Sequence, residues 1–566
     1  MWAPTKASSA TNGVKKSLAP YEFDPSDPYN FSRRAVDQLR PMKVIVLGGG
    51  MSGIITGIFF PREIENLELT IYDKNPDLGG TWFESRGPFD RYPGVACDVP
   101  SHAYQFTFES NPKWSRYWAS GPEIQEYLKS VAKKYGADKY MKFNHTAEKA
   151  EWDEAKGKWT VTFTKTDTNE ADSLPSFQVV TDTADAVVQA VGALNKWKMP
   201  DIKGLDKFKG KLMHSAHYDT SFDATGKRVA LIGGGSSGIQ ILPQLQAVAA
   251  RVDHYMKGKT WIPPFGLGAA GVLNRNGDPN TPQEELDQWR DPERYLEYRR
   301  KIESSLHEAS DVLWKDTPSA IGFQKMCEDH MRAKLAKKPE IFEALCPTFA
   351  PACRRLTPGP GYLEALVEDN VEFIPTQIQE FVEDGIITED GKKREVDAII
   401  CATGFAGYKQ HFPVIGKNGI NLQDQWENNI PESYVGIVPE NMPNFFVMLG
   451  PNGGPGVGST VPFLESVAKY AIMCIQKLQR EWYKSMTVKA AVIKDFGEYT
   501  DEYLEPTVFN SSCRSWWRHK GDGRILALWP GSALHGIYVW SHPRWEDYEY
   551  VLKDELKGPP VRAGGP

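Results

Sequence analysis

Two glycine-rich turns restrict the fold of this chain more than any other feature of its sequence. GGGMSG occupies residues 48–53 and GGGSSG occupies residues 233–238, and each turn separates an apolar run of strand character from one of helical character. In the spacing GxGxxG, one glycine makes a tight turn, one lets the backbone approach a pyrophosphate, and one lets the helix pack on the strand. Free N–H groups at the helix N-terminus then bind phosphate. The pattern predicts two dinucleotide-binding units, with structural turns that bind no ligand as the alternative.

An acidic residue indicates which nucleotide the first turn binds. Asp73 ends the next strand run, LELTIYD, at twenty residues after Gly53. A carboxylate at this spacing can bind ribose hydroxyls. It disfavours a 2′-phosphorylated nucleotide, so the first site is expected to hold FAD or NAD. The segment DLGGTW, which contains Gly80, follows at once and lets the chain pass close to a bound cofactor.

Lysines take the place of that acid at the second turn. The strand run RVDHY is followed by Lys257 and Lys259. A 2′-phosphate requires cations at this position, which predicts NADP(H), whereas two solvated surface lysines are the alternative. Two nucleotide sites in one chain indicate electron transfer, and FAD at the first with NADPH at the second is the simplest assignment.

The order of strand and helix patterns predicts an α/β fold with two Rossmann-like dinucleotide-binding domains, one for FAD and one for NADP, and a helical insertion in the NADP domain. The run 177–192, FQVVTDTADAVVQAVG, alternates like a strand, and charged amphipathic helices follow residue 265. The predicted order is an N-terminal extension (1–40), FAD-binding domain (41–190), NADP-binding domain (191–264), helical insertion (265–345), NADP-binding domain continued (346–400), and FAD-binding domain continued with the C-terminal region (401–566).

Composition excludes several classes of protein. The net charge of −7 carries no sign of a nucleic-acid partner. The seven cysteines are scattered without a CxxC pair, which predicts reduced thiols in a cytosol-like compartment and argues against a disulfide reductase and a zinc site. No apolar run reaches the roughly 18 residues of a membrane span, and the first residues lack a signal-peptide core. A cytoplasmic protein without a membrane partner is expected.

The stretch before the second turn carries a family resemblance. Phe208, Gly210, His214 and Asp219 match the fingerprint of Baeyer–Villiger monooxygenases, and Tyr218 stands where that family has tryptophan. GGTW, RYPGVACD, GSSGIQ, ACRRL and ATGF follow the family's motif order, so the likeness covers about residues 41 to 540. The chain resembles a fungal-type, FAD-containing, NADPH-dependent member.

The resemblance implies a reaction and a catalytic pair. NADPH would reduce FAD, O2 would form a C4a-peroxyflavin, and a ketone would become an ester or lactone. Arg355 matches the catalytic arginine, whose guanidinium stabilises anionic oxygen. Asp98 matches the acid that positions it. The alternative is that Arg354 and Arg355 only bind phosphate.

The resemblance also implies the cofactor contacts. FAD would contact Gly48, Gly50, Ser52, Gly53, Asp73, Gly80, Thr81, Trp82, Asp98, Tyr104 and Ala147. NADP would contact Ala96, Cys97, Gly234, Gly235, Ser236, Ser237, Gly238, Gln240, Lys257, Arg354, Arg355 and Trp516. The fingerprint, with His214, would lie in a hinge between the two domains. Departures from the family are Tyr218, a long segment at 83–90 and a glycine-rich loop, Gly454 to Ser459.

Two other functions stay open. A flavin monooxygenase that oxygenates nitrogen or sulfur would share both turns without needing Arg355. A non-catalytic redox sensor would bind FAD and NADPH without oxygen-dependent turnover. The expected partners are a small ketone and O2, and the chain is expected to be a monomer or a weak homo-oligomer.

Overall fold

The computed structural model describes residues 39–84, 92–167, 176–264 and 280–553. The N-terminal extension, most of the long segment after Trp82, the start of the helical insertion and the chain end therefore lie outside the described residues.

The regular elements follow the chain in this order. The helices are α1 Met51–Glu63, α2 Gly121–Tyr135, α3 Ser236–Gln246, α4 Gln283–Gln288, α5 Pro292–Glu308, α6 Pro318–Lys334, α7 Pro339–Leu345, α8 Tyr362–Leu366, α9 Leu422–Asn428, α10 Val461–Arg480, α11 Ala490–Leu504 and α12 Ala533–Trp540. The strands are β1 Met42–Leu47, β2 Leu67–Tyr72, β3 Met141–Lys142, β4 His145–Asp153, β5 Lys158–Asp167, β6 Ser176–Ala184, β7 Ala186–Gln189, β8 Lys211–His214, β9 Arg228–Ile232, β10 Arg251–Tyr255, β11 Val371–Ile374, β12 Ile378–Val382, β13 Gly385–Thr388, β14 Lys393–Glu395, β15 Ala398–Cys401, β16 Val414–Ile415, β17 Phe445–Val447, β18 Tyr483–Val488 and β19 Tyr548–Leu552.

The first parallel sheet has the order β17-β7-β1-β2-β3. Apart from Lys43 near its start, strand β1 is apolar because both of its faces are covered. Val44 and Val46 pack in the core that contains α1 and α10. Ile45 and Leu47 pack in a second core with the antiparallel strands β4 and β5.

The second parallel sheet repeats this construction in the order β11-β10-β9-β15-β8. Val229 and Leu231 of β9 pack toward α3 and α6, and Ala230 and Ile232 pack toward the opposite face. The predicted α/β class with two Rossmann-like units is therefore confirmed. The domain boundaries stay a prediction.

One predicted strand is in fact two strands. The run 177–192 divides at Asp185 into β6, the edge of the mixed sheet β16-β4-β5-β6, and β7 of the first parallel sheet. The division has a physical reason, since the buried Asp185 carboxylate lies at the crossing point and accepts hydrogen bonds from Arg40 Nη1 (3.0 Å), Lys43 N (2.9 Å) and Lys158 Nζ (2.8 Å).

The helices between residues 283 and 345 contact both halves of the molecule. In α5, Arg299 Nε donates to the carbonyl of His102 (3.2 Å), and Ile302 packs in the core of the first sheet. In α6, Cys327 and Met331 pack in the core of the second sheet. None of the helices in the described ranges combines the length and apolar character needed to cross a lipid bilayer.

The prediction that the cysteines are reduced thiols is wrong for two of them. Cys353 and Cys513 form a disulfide across 160 residues of sequence, with Cα atoms 6.2 Å apart. Scattered spacing did not reveal this pair because the two cysteines meet only through the tertiary fold. The other five cysteines are free thiols.

Replacing the buried carboxylate at the strand crossing should destabilise the protein. Asp185→Asn leaves the nearby Arg40 guanidinium without its charge partner, so the free energy of unfolding should fall by about 3 kcal/mol. Burial by itself raises the pKa of Asp185, but Arg40 and Lys158 outweigh it and lower the pKa. The stabilisation is therefore present above the ordinary carboxyl pKa and is lost as pH falls through the lowered value, so the deficit should shrink in acid.

Urea unfolding of the variant at pH 7 and at a pH well below the ordinary carboxyl pKa tests this expectation. Asp153→Asn is the matched control, because Asp153 forms an exposed ion pair with Lys156 and its loss should change stability little. Equal stability of Asp185→Asn and wild type at pH 7 would contradict the expectation.

Candidate active site

The first glycine turn has the geometry that a pyrophosphate requires. Gly48 has φ +117°, and a Cβ there would lie 2.4 Å from the carbonyl oxygen of Ala190. A Cβ on Gly53 would lie 2.2 Å from the carbonyl oxygen of Gly48, so this glycine serves helix packing. Gly50 caps α1 without a side-chain hydrogen bond, and the backbone of Gly80 approaches it closely. The N–H groups of the first helical turn therefore remain available to an anion.

Asp73 is fixed in front of this turn. Its Oδ2 accepts from Gly49 N (2.5 Å) and its Oδ1 accepts from Asn75 N (2.7 Å). The side chain is buried, and burial raises the pKa of Asp73 against the lowering effect of these two backbone donors. Each carboxylate oxygen keeps a lone pair for a ribose hydroxyl.

The second turn is built in the same way. Gly233 has φ +115°, and its Cβ would lie 2.3 Å from the carbonyl oxygen of Ala402. A Cβ on Gly238 would lie 2.0 Å from the carbonyl oxygen of Gly233. A Cβ on Gly235, at the N-terminus of α3, would meet nothing within 4 Å, so the approach to the helix is open.

A cavity of about 960 Å³ joins the two turns. Its wall includes most of the residues predicted to bind FAD, namely Gly48, Gly50, Ser52, Asp73, Gly80, Thr81, Trp82, Asp98, Tyr104 and Ala147. The same wall includes seven residues predicted to bind NADP, namely Ala96, Cys97, Ser236, Ser237, Gln240, Arg355 and Trp516. The two predicted sites are therefore parts of one continuous space.

An ion pair faces this cavity. Arg355 donates from Nε to Asp98 Oδ2 and from Nη2 to Asp98 Oδ1, both at 2.8 Å. Within the described residues, no hydrogen bond is made by Nη1 of Arg355. The charge of Asp98 raises the pKa of Arg355. Burial works to raise the pKa of Asp98, but the charge and hydrogen bonds of Arg355 prevail and lower it, so the pair stays ionised through neutral pH.

Hydrogen bonds connect the second turn to both sides of the ion pair. Gln240 of α3 donates to the carbonyl of Ala96 (3.1 Å) and accepts from the Tyr92 hydroxyl (2.8 Å). Ser236 Oγ lies 2.5 Å from the hydroxyl of Thr357, which follows the arginines. The NADP-side helix thus contacts the segments that carry Asp98 and Arg355.

Comparison with known proteins identifies the family. A family model described as flavin-binding monooxygenase-like matches residues 41–264. The FAD-binding monooxygenase moxY of Dothistroma septosporum is 35% identical over 520 residues, which are 90% of this chain and 80% of that protein. A Baeyer-Villiger monooxygenase of Pseudomonas aeruginosa is 33% identical over 519 residues, which are 90% of this chain and 92% of that protein. The chain belongs to the Baeyer–Villiger monooxygenase family. The predicted flavin-dependent monooxygenase class and the cofactor FAD are thereby confirmed, and NADP(H) at the second turn stays a prediction.

A solved structure supports the fold independently. Oxidized steroid monooxygenase bound to NADP aligns with a TM-score of 0.73 at 23% identity, covering 91% of this chain and 100% of that one. At this identity the likeness shows the shared two-unit fold.

The Baeyer–Villiger fingerprint lies beside the cavity. His214 ends β8, is buried, and stacks on Trp197 with ring centroids 4.9 Å apart. Trp197 lines the cofactor cavity, whereas His214 does not. The backbone N–H of Ala216 donates to His214 Nδ1 (3.0 Å), which fixes this nitrogen as an acceptor. A hinge role of His214 stays a prediction.

The other fingerprint residues do not line the cofactor cavity. Tyr218 is buried in the core on one face of the second parallel sheet, and Phe208 packs in the core on the opposite face of that sheet. A Cβ on Gly210 would contact the Phe208 ring at 2.5 Å. Asp219 accepts from Lys211 and from Ser221, and these bonds lower its pKa to about 2.

Several predicted cofactor residues lie outside the cavity wall. Gly53, Gly234 and Gly238 pack against neighbouring atoms of their own units. Lys257 is exposed after β10, and the Arg354 guanidinium lies 5.7 Å from the centre of the Phe349 ring. Among the described residues, Arg354 makes no ion pair. These two cations and the open Gly235 are the groups that could reach a nucleotide from outside the wall.

Sequence reasoning missed part of the site. Gly233, which makes the second tight turn without lining the cavity, could have been found from its equivalence to Gly48. Phe405, Tyr408 and Trp517 line the cavity and were not predicted. Tyr408 and Trp517 come from irregular segments with no periodic pattern, so only the tertiary structure reveals them.

The residues present at the first turn fit FAD. The missing Cβ atoms leave room for phosphates, the helix N-terminus has no side-chain cap, and Asp73 is held in the ribose position. Trp82 Nε1 donates to the Tyr104 hydroxyl (3.3 Å), and the two rings meet edge to face. Both aromatic side chains line the cavity beside the first turn and would pack against bound FAD.

Loss of the Asp73 charge should weaken FAD binding. In Asp73→Asn, the amide cannot accept backbone and ribose hydrogen bonds at both positions, so the dissociation constant of FAD should rise about tenfold or more. Flavin absorbance after gel filtration, together with FAD titration of the apoprotein, measures the effect. Asp77→Asn is the control, because Asp77 lies in the same loop after β2 but pairs with Lys129 of α2 and does not line the cavity. Full retention of FAD by Asp73→Asn would contradict the assignment.

Proposed function

We propose that this chain oxidises a ketone to an ester or lactone with NADPH and O2, and that Arg355 is its catalytic residue, positioned by Asp98. One observation carries the proposal. The bidentate Arg355–Asp98 pair faces the cavity that both nucleotide turns enter.

The protein's own groups would have three tasks. Bound FAD, once reduced, supplies the activation of oxygen. Arg355 offers a permanent positive charge and the N–H groups of Nη1 to the negative oxygen that develops at the reacting centre. Asp98 fixes the plane of the guanidinium, and the aromatic wall excludes water from it.

The pair distinguishes this function from its alternatives. An enzyme that oxygenates nitrogen or sulfur, or a redox sensor, requires both nucleotide turns but no cation facing the cavity at their junction. Even a partly buried guanidinium is costly to desolvate unless it is paired or used. The Arg355–Asp98 pair therefore favours Baeyer–Villiger chemistry over both.

Removal of Arg355 should separate flavin reduction from product formation. Arg355→Ala should still bind FAD and accept hydride from NADPH, because neither nucleotide turn changes. Ester formation should fall about 10²- to 10³-fold, the scale of a lost oxyanion-stabilising donor. Anaerobic loss of the oxidised flavin absorbance measures reduction, and product mass measures ester from a panel of ketones. Ester formation by this variant at the wild-type rate would remove Arg355 from the mechanism.

Arg354→Ala is the matched control for this experiment. Arg354 precedes the catalytic arginine and lacks an ion pair in the described part of the chain, which supports a contact with the 2′-phosphate of NADPH. Loss of the Arg354 side chain should raise KM for NADPH about tenfold, so that KM for NADPH approaches KM for NADH. The amount of ester formed per NADPH oxidised should change little. Ketone-dependent turnover by wild type would also exclude the redox sensor.

The cavity wall supports a proposal for the class of ketone. Phe405, Trp516 and Trp517 give the wall an aromatic character, and Tyr408 stands among them. The Tyr408 hydroxyl makes no hydrogen bond within the described residues, and a Cβ on Gly454 would come within 4.0 Å of it. Burial raises the pKa of Tyr408, so the hydroxyl remains a neutral donor. We infer a ketone with an apolar or aromatic body and a second oxygen that accepts from Tyr408.

Tyr408→Phe tests this inference about the substrate. The variant should raise KM about five- to tenfold for a ketone that carries an additional carbonyl or ether oxygen, the value of one neutral hydrogen bond. KM for the matched hydrocarbon ketone should not change, which provides the control within one protein. Equal effects on both ketones would indicate that Tyr408 acts only through packing.

The cytoplasmic location and the monomeric or weakly oligomeric state also stay proposals. Light scattering of the purified holoenzyme tests the second.

A further inference from the structure

The disulfide Cys353–Cys513 joins the two chain segments that bring Arg355 and Trp516 to the cavity. We propose that this disulfide is a positioning element for Arg355, holding its guanidinium at a fixed place against the Trp516 wall so that oxidation of NADPH yields ester. The inference rests on the proposed function of Arg355.

The spacing of the residues makes the connection direct. Cys353 precedes Arg355 by two residues, and Cys513 precedes Trp516 by three. Both cysteines are buried, with 1% and 6% of their surface exposed. The bond therefore lies behind the cavity wall and acts on it only through the backbone.

The arginine segment has no regular secondary structure that would position it. Residues 346–361 form no helix or strand between α7 and α8. Ala352 has φ +66°, a left-handed conformation that costs a residue with a Cβ about 1 kcal/mol. Such a backbone persists only when its surroundings determine it.

The opposite segment offers a firm attachment. Arg518 Nη2 donates to the carbonyls of Phe509 (2.6 Å) and Ser511 (2.7 Å), which precede Cys513 in the sequence by four and two residues. Trp517 is buried and meets the Phe509 ring edge to face at 5.6 Å. Ala350 and Ala352 of the arginine segment pack on the same cluster.

The disulfide and the ion pair fix different degrees of freedom. Asp98 sets the plane of the guanidinium relative to the FAD-side segment. The disulfide sets the distance between the backbone that carries Arg355 and the segment that brings Trp516 to the cavity wall. A displacement of about 1 Å at a reacting centre can cost about 10²-fold in rate, so loss of the second restraint should affect chemistry at Arg355.

Serine substitutions separate positioning from stability. In Cys353→Ser and Cys513→Ser, ester formed per NADPH oxidised should fall about tenfold, with hydrogen peroxide making up the difference. Anaerobic reduction of FAD by NADPH should stay at the wild-type rate. The ratio is independent of how much protein is folded, so general destabilisation does not change it. Cys346→Ser, which removes a free thiol seven residues before Cys353, should keep the wild-type ratio.

Two measurements do not depend on turnover. Peptide mapping of unreduced holoenzyme, alkylated in denaturant, should recover a Cys353–Cys513 linked peptide. Hydrogen exchange of segments 346–361 and 511–518 should accelerate in both disulfide variants and not in Cys346→Ser.

The outcomes are distinct. Absence of the linked peptide, or a wild-type ester ratio in both disulfide variants, overturns the inference. Faster exchange with an unchanged ratio also overturns it, because the bond would then stabilise the segments without positioning Arg355. If wild type gives no ester from any ketone of the panel, the proposed function fails, whereas the peptide and exchange results still show whether the disulfide restrains the arginine segment.

Discussion

The partly buried ion pair of Arg355 and Asp98 is the interaction on which the arrangement of the site depends. Its two partners come from segments 257 residues apart in sequence, one beside the FAD-side turn and one beside the NADP-side turn. Removing either charge from water without its partner would be costly. Pairing offsets that cost and links the two nucleotide-binding halves at the cavity that both of them line.

The nucleotide-binding units could be predicted because their chemistry restricts local sequence. Gly48 and Gly233 need positive φ, and Gly53 and Gly238 need a missing Cβ, so the turns are visible without a structure. Asp73 and Arg355 could be predicted for a related reason. Asp73 ends a strand at a fixed spacing from the first turn, and Arg355 stands in the motif ACRRL. Parallel strands buried on both faces gave equally clear apolar runs.

The rest depended on contacts between distant residues. The disulfide of Cys353 and Cys513 was not visible in the spacing of the cysteines, and composition pointed to the opposite conclusion. The division of residues 177–192 into two strands required knowledge that Asp185 meets Arg40. Tyr408 carried no sign of its place in the wall, because irregular segments have no periodicity that relates a side chain to a surface.

The helices α5 and α6 have a consequence for how the two halves can rearrange. One is anchored on the first parallel sheet's core and the other on the second, and only residues 309–317 connect them. If both helices keep their contacts, any rotation of one nucleotide-binding half about the other must therefore change the conformation of those nine residues, as well as that of the other segments that join the halves. The geometry of that short connection limits how wide an angle the two halves can adopt while both helices remain seated.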